Sequence, residues 1–441
     1  MLAVHALWMV GTVPFVALLL LIAVLPLVPR TAHWWHHNSS KAIVSLTCAA
    51  ATAAFIVFTE SPSEAGTVVA HTLVAEFIPF IVLLGSLFVI AGGIFARSDV
   101  KATPAINTII LAVGALSASL LGTTGASVLF IRPLLAANQH RTRVAHTVVF
   151  FIFVVSNIGG SLLPIGDPPL FLGYLRGIPF FWTLSLWGPW LFTLAVLLAI
   201  YFIIDMRMAR TDGHRDTRTS SRCTIAVEGG LNVLWLAGVL ASVILLIPGR
   251  ALVGTAWIVP EHLREVAMVG FTLVSLATTS ATVRSKCEFN WGPIVEVAVL
   301  FAGIFVSMQV PLAVLAENGA ALGLASPASY FWATGSLSSF LDNAPTYLVF
   351  ITAASVDTAA AAPGMIALDG GRAIDAALLG AISLGAVCMG ANTYIGNGPN
   401  FMVKAMAEQS GVKMPSFFGY MGWSVAVLIP TLALVTVVFL R

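Results

Sequence analysis

Four long apolar stretches of this chain are broken near their middles by residues that a continuous helix cannot hold. They lie at 104–137, 145–173, 326–356 and 374–405. The first carries Gly122-Thr-Thr-Gly-Ala-Ser127, and the third carries Leu341-Asp-Asn-Ala-Pro-Thr346. The second runs Asn157-Ile-Gly-Gly-Ser-Leu-Leu-Pro-Ile-Gly-Asp-Pro-Pro169, and the fourth runs Asn392-Thr-Tyr-Ile-Gly-Asn-Gly-Pro-Asn400. Glycine and proline free backbone amides and carbonyls from helical pairing. In hydrocarbon such groups must be buried in protein or face a wet cavity. Four breaks in symmetric order therefore predict elements that meet inside a membrane protein.

The surrounding composition agrees. Apolar residues make up 59% of the chain and charged residues only 9%, too few to cover a soluble protein of 441 residues. A net charge of +2 without a basic tract gives no reason to expect nucleic acid. The four cysteines (Cys48, Cys223, Cys287, Cys388) form no CxxC pair and read as packing residues. A span needs about 20 mostly apolar residues. Spans are expected at 8–29, 41–59, 76–96, 145–173 and 182–204, then at 230–248, 265–283, 293–316, 374–405 and 416–440. The first lacks a preceding basic residue and is long enough to cross, so it reads as a helix rather than a cleaved signal.

Basic loops favour the cytoplasmic side. If 104–137 and 326–356 enter and leave on one face, 14 of the 21 Lys and Arg residues lie inside and five outside, with Arg132 and Lys404 within spans. A single crossing by 104–137 would split its basic flanks, so the hairpin reading is preferred. The expected fold is an all-α polytopic membrane protein of two inverted-topology repeats. Each repeat has five transmembrane helices, one re-entrant hairpin and one broken helix. The first repeat covers 1–205, with its hairpin at 104–137 and broken helix at 145–173. A cytoplasmic linker at 206–224 joins it to the second repeat, 225–441, with its hairpin at 326–356 and broken helix at 374–405. Both termini are expected outside a cell inner (plasma) membrane.

A carboxylate at bilayer depth is costly and marks an ion or proton pathway. Asp167 and Asp342 are therefore the leading candidates, and Arg132 is a possible salt-bridge partner for either. Asn157, Asn343, Asn392 and Asn397 offer amide oxygens, and Thr123, Thr124, Ser338 and Thr393 offer hydroxyls. Hard oxygen ligands of this kind suit sodium, for which Asp167, Asp342, Asn157 and Asn343 form the candidate set. Lys404 is expected to snorkel toward the inner face. Glu76 and Glu296 are expected at solvated helix ends, and the His-Trp-Trp-His-His run at 33–37 as an interfacial aromatic belt.

These motifs resemble those of the ion transporter superfamily, which includes divalent anion/sodium symporters, citrate carriers, arsenite permeases and NhaD-type sodium/proton antiporters. The Gly-Gly-x-x-x-Pro-Ile-Gly-x-Pro-Pro pattern at 159–169 is similar to the anion/sodium branch, as is Gly398-Pro399-Asn400. The acid of Pro-Ile-Gly-Asp at 164–167, Asn157 ten residues earlier, and Ser338 with Asp342-Asn343-x-Pro345 resemble the NhaD branch. The resemblance implies that Asn157, Asp167, Ser338, Asp342 and Asn343 handle a cation or proton. It also implies a homodimer and an elevator-like or rocking motion.

The leading expectation is a secondary active transporter that exchanges sodium for protons at its intramembrane aspartates. The alternative is sodium- or proton-coupled transport of a di- or tricarboxylate such as citrate, or of an arsenite-type anion. No cofactor is expected beyond sodium and protons as transported or coupling ions. The partners are small ions or a carboxylate substrate and the lipid bilayer. A membrane aspartyl protease is disfavoured because no Tyr-Asp pair occurs in any span, and a pump because no phosphate loop is present.

Overall fold

The computed structural model describes residues 9–26, 28–98, 102–211, 225–252 and 254–440. Helices appear where apolar sequence is long enough to bury or to face lipid. The first half contains α1 (Val13–Val24), α2 (Pro29–Trp35), α3 (Asn38–Thr59) and α4 (Pro62–Ala91), then α5 (Pro104–Ala137), α6 (Ala145–Val154), α7 (Pro168–Leu175) and α8 (Trp187–Thr211). The second half contains α9 (Leu231–Leu245), α10 (Leu263–Thr278), the short α11 (Ala281–Lys286), α12 (Gly292–Ser307) and α13 (Gln309–Asn318). It continues with α14 (Pro327–Ser338), α15 (Asn343–Ala354), α16 (Ala376–Met389), α17 (Gly398–Gln409) and α18 (Phe417–Phe439). Among the described residues six helices are long and apolar enough to cross a membrane, or eight if two bent pairs count as one span each. The protein is a polytopic, mostly helical membrane protein.

The surface has the pattern expected of a lipid-facing one. Along the first arm of α5, Ile109, Val113, Leu116 and Leu120 are exposed, whereas Leu111, Ala115, Ala118 and Ser119 are buried. The exposed set recurs every three or four residues, so one apolar stripe lies outside and the small residues pack inside.

At about 1.5 Å per residue a straight 34-residue helix would separate its ends by about 50 Å. Instead, the Ala102 N–H donates to the Ala137 carbonyl at 3.0 Å, and the Asn107 and Asn138 side-chain amides exchange hydrogen bonds of 3.1 and 2.9 Å. The reversal occurs at Gly122, whose φ of 75° and ψ of 151° are tolerated because it has no Cβ. The 104–137 stretch is therefore a hairpin. The third interrupted stretch becomes α14 and α15, joined through residues 339–342, packed on each other and on α16.

Several expectations need correction. The third span begins at Pro62, fourteen residues before the expected 76, and passes through a π-helical turn at Thr72–Phe77. Glu64, His71 and Glu76 hid this extension from an apolar window. Glu76 is buried and pairs with Arg176 at 3.0 Å instead of ending a helix in solvent. Lys41, at the expected start of a span, is buried in α3 and pairs with Glu296 at 2.8 Å. In the His-Trp-Trp-His-His run Trp34 is exposed but Trp35 is buried.

The chain is also not purely helical. Strand β1 (Phe95–Ser98) pairs antiparallel with β2 (Ile225–Glu228), placing Phe95 opposite Glu228 and tying the two halves together. Strands β3 (Val356–Asp357), β4 (Ile366–Leu368) and β5 (Arg372–Ile374) form a small sheet in the order β3-β5-β4 before α16. Helix α8 continues through 206–211. The rest of the expected linker, 212–224 with Cys223, lies outside the described residues, as do residues 1–8 and Arg441. Cys48, Cys287 and Cys388 are buried.

Candidate functional site

The two broken helices stop for the same local reason. Between α6 and α7 the chain passes through short 3-10 turns at Ile158–Leu162 and Pro164–Gly166. Between α16 and α17 it passes through one at Gly390–Asn392. A Cβ on Gly166 would collide with the Gly160 carbonyl oxygen, and one on Gly396 would meet the Gly390 carbonyl oxygen at 2.5 Å. In each break, glycines six residues apart let the chain cross itself. The next residue extends and starts a helix: Asp167 at φ −147°, ψ 141° and Asn397 at φ −154°, ψ 141°.

The hairpin turns are packed on these breaks by matching serines. Ser119 Oγ donates to the Gly159 carbonyl at 2.6 Å, and Ser339 Oγ donates to the Met389 carbonyl at 3.2 Å. Four residues past each serine stands the side chain that reaches the site. Thr123 Oγ1 donates to Asp167 Oδ1 at 2.8 Å, and Asn343 Nδ2 donates to Asp167 Oδ2 at 2.7 Å. Asn397 Nδ2 adds a third bond, to Oδ1 at 3.2 Å. One buried carboxylate thus joins both hairpins and both breaks. A hydrogen bond to a charged group contributes about 1.5–3 kcal/mol. Three neutral donors are therefore comparable with the several kcal/mol that burying a carboxylate costs.

Asn157 stands behind this centre. Its amide donates to the Ile152 carbonyl at 2.8 Å and to Asn400 Oδ1 at 2.7 Å, and its oxygen accepts from Asn397 at 3.1 Å. Asn400 in turn donates to the carbonyls of Gly390 and Thr393 at 2.8 and 3.0 Å. Asn343 Oδ1, beside Asp167, and Asn392 Oδ1, in the second break, are buried without a hydrogen-bond partner among the described residues. A buried oxygen left unpaired costs about 1–3 kcal/mol, so it marks a place where a cation or water would be welcome.

A cavity of about 90 Å³ opens beside this network. Its walls include Gly122, Thr123 and Thr124 of the first hairpin, Asp342 of the second, and Pro168 and Asn397 at the starts of α7 and α17. Apolar residues of α4 and α12, among them Leu87, Phe88, Ile294 and Phe301, close the other side. Four helices begin here: α7, α17, α15 and the second arm of α5. Each N-terminus carries the partial positive charge of its helix dipole, although Pro168, Pro169, Pro345 and Pro399 remove first-turn N–H groups, and among the described residues no Lys, Arg or His lines the cavity. Asp342 caps α15, its Oδ1 accepting from Ala344 N at 3.0 Å.

Of the residues expected at the site, Thr123, Asn157, Asp167, Asn343 and Asn397 form one hydrogen-bonded cluster, and Thr124 and Asp342 line the adjoining cavity. Ser338, Asn392 and Thr393 instead tie the second hairpin turn to α16 and the second break. Ser338 donates to the Ala386 carbonyl, Asn392 to Ser339 Oγ, and Thr393 to the Ser339 carbonyl. Arg132 pairs with neither aspartate. It reaches Glu288 at 3.0 Å, and Lys404 pairs with Glu408 at 2.9 Å. Asn400, Ser119 and Ser339 were missed as site residues. The signals for Asn400 were its place at the end of the fourth break motif and in the Gly398-Pro399-Asn400 segment.

Residues 4–440 match the model of the CitMHS_2 family, whose description reads "Putative citrate transport". Among curated proteins none matches.

Proposed function

The chain belongs to the CitMHS_2 family, a transporter family within the ion transporter superfamily, and from that premise we propose that it carries a citrate-like carboxylate by secondary active transport. Sodium or protons would be the coupling ions. The observation that carries the reading is the convergence of four helix N-termini on one cavity without basic side chains. Helix N-termini are ready anion sites. They favour a carboxylate without fixing it as tightly as an arginine fork would, which suits a cargo that must leave again.

The same cavity has Asp342 in its wall and Asp167 hydrogen-bonded just behind it. A multivalent anion beside two carboxylates is repelled unless cations enter with it. Binding of anion and cation would thereby be coupled, and the unpartnered Asn343 oxygen would complete a sodium site with Asp167. Helix breaks matched at an offset of 230 residues and hairpin turns matched at an offset of 220 support two structural repeats. We assign them as 1–205 and 225–441 with inverted topology, in a homodimer in the inner membrane with both termini outside.

Sodium/proton exchange is the second reading. It rests on the two aspartates meeting at the site with no cationic side chain beside them. Vesicles reconstituted with the protein separate the two. Labelled citrate should accumulate only under an inward sodium or proton gradient. If citrate and succinate stay outside under every gradient while sodium collapses a proton gradient reported by a pH dye, the carboxylate reading fails and exchange stands.

A further inference from the structure

A larger cavity, of about 740 Å³, lies away from the breaks. Its walls are the base of the first hairpin with the following turn (132–146), the Lys286–Glu288 segment, and the end of α17 with its following loop (406–413). Five cationic side chains line it: Arg132, Arg141, Arg143, Lys286 and Lys413. Glu288 is the single carboxylate among the described lining residues.

Three of these cations already have anionic partners. Arg132 pairs with Glu288 at 3.0 Å, Lys286 with Glu228 at 2.6 Å, and Arg141 with the buried Asp205 at 2.6 Å. Arg143 and Lys413 are exposed and make no side-chain hydrogen bond or ion pair with any described residue. Helix α6 begins in the same wall, and its N-cap residue, Val144, supplies no side-chain cap to the first free N–H groups. Two cations without an anionic partner among the described residues and an uncapped helix start share one concave wall, and each favours an anion.

The geometry points to a second anion-binding site here, formed by Arg143, Lys413 and the first turn of α6, for a soluble di- or tricarboxylate. The position gives the site a purpose. Helix α17 and the second arm of α5 start at the cavity between the breaks and end at this basic wall. Twelve residues of α17 at about 1.5 Å each set the two cavities roughly 18 Å apart. An anion held here stands at one end of the helices that frame the inner cavity, where charged walls raise local anion concentration. The basic wall stands on its own, and the choice of a carboxylate as its ligand rests on the proposed transport of a citrate-like anion.

The test uses full-length protein with Ser410→Cys, an exposed position in the wall. Its labelling by an anionic thiosulfonate reagent is compared with that of the parent chain. Millimolar citrate should slow labelling several-fold. Arg143→Gln with Lys413→Gln should abolish this protection and should lower the rate of the anionic reagent relative to a cationic one. Asp342→Asn, at the other cavity, should leave protection intact. Protection that survives the double substitution, or no protection by citrate at all, overturns the second site. So does protection produced by added phosphatidylglycerol but not by citrate, which would assign the wall to lipid headgroups. Loss of citrate uptake with protection retained would count against the transport reading alone.

Discussion

At the scale of single residues, Asp167 is the junction of the site. Its three donors come from Thr123, Asn343 and Asn397. Asn343→Ala removes the sole donor to Oδ2 among the described residues and should weaken coupling-ion binding about ten- to a hundredfold, the equivalent of about 1.5–3 kcal/mol. The concentration of sodium or protons giving half-maximal uptake measures this, and an unchanged value would show that Asn343 is a bystander. The glycines give a stability contrast. Gly166→Ala would press a methyl onto the Gly160 carbonyl and should lower the melting temperature in detergent by several degrees. Gly398→Ala, with nothing within 4 Å, should leave it unchanged.

Much at this scale was legible in the sequence. A polar residue inside an apolar stretch has few reasons to be there, and Asp167, Asn157, Asn343 and Asn397 stood out for that reason. Arg132 was harder. Spacing gives depth along a span but not the partner, and Glu288 lies 156 residues away in the chain. Asn392 and Thr393 looked like ligands because composition cannot separate a side chain facing a cavity from one capping a broken backbone.

At the scale of elements, the first hairpin is fastened at its base. Asn107 Nδ2 and Arg141 Nη1 donate to Asp205 Oδ2 at 3.1 and 3.0 Å, and His146 Nε2 meets Oδ1 at 2.8 Å. Asp205 and its neighbours thus hold both hairpin arms against α6 and α8. Breaking a buried ion pair by removing one partner costs about 3–5 kcal/mol. Asp205→Ala should therefore destabilise the protein strongly in thermal melts. A wild-type melt would mean that packing alone secures the hairpin. The sequence placed Asp205 just past the expected end of a span, where solvent would have been its partner. Hairpin geometry makes a separate prediction: cysteines at Ala102 and His140 should react with an impermeant thiol reagent from the same side. Labelling from opposite sides would mean that 104–137 crosses the membrane. That prediction was open to sequence reasoning because charge placement constrains topology, whereas the π-helical entry at Thr72–Phe77 has no compositional signature.

For the whole molecule, both halves of the chain contribute to one centre. The first supplies Thr123 and Asp167, and the second supplies Asn343 and Asn397. Backbone matches between the breaks are close, yet the acid of one stands opposite the amide of the other. A site of this kind has equivalent frames and unequal chemistry, which lets one carboxylate serve both halves. Family membership was legible from the breaks themselves, while the basic cavity was not. Its five cations come from three separate stretches that only folding brings together.

The central claim is that the cavity between the four breaks is the substrate's place. Thr124→Trp tests it most directly, because Thr124 is half-buried in the cavity wall and an indole would fill the space. With protein that elutes and melts like the parent, citrate uptake into reconstituted vesicles should fall to background. Uptake at the parental rate through a filled cavity would contradict the account.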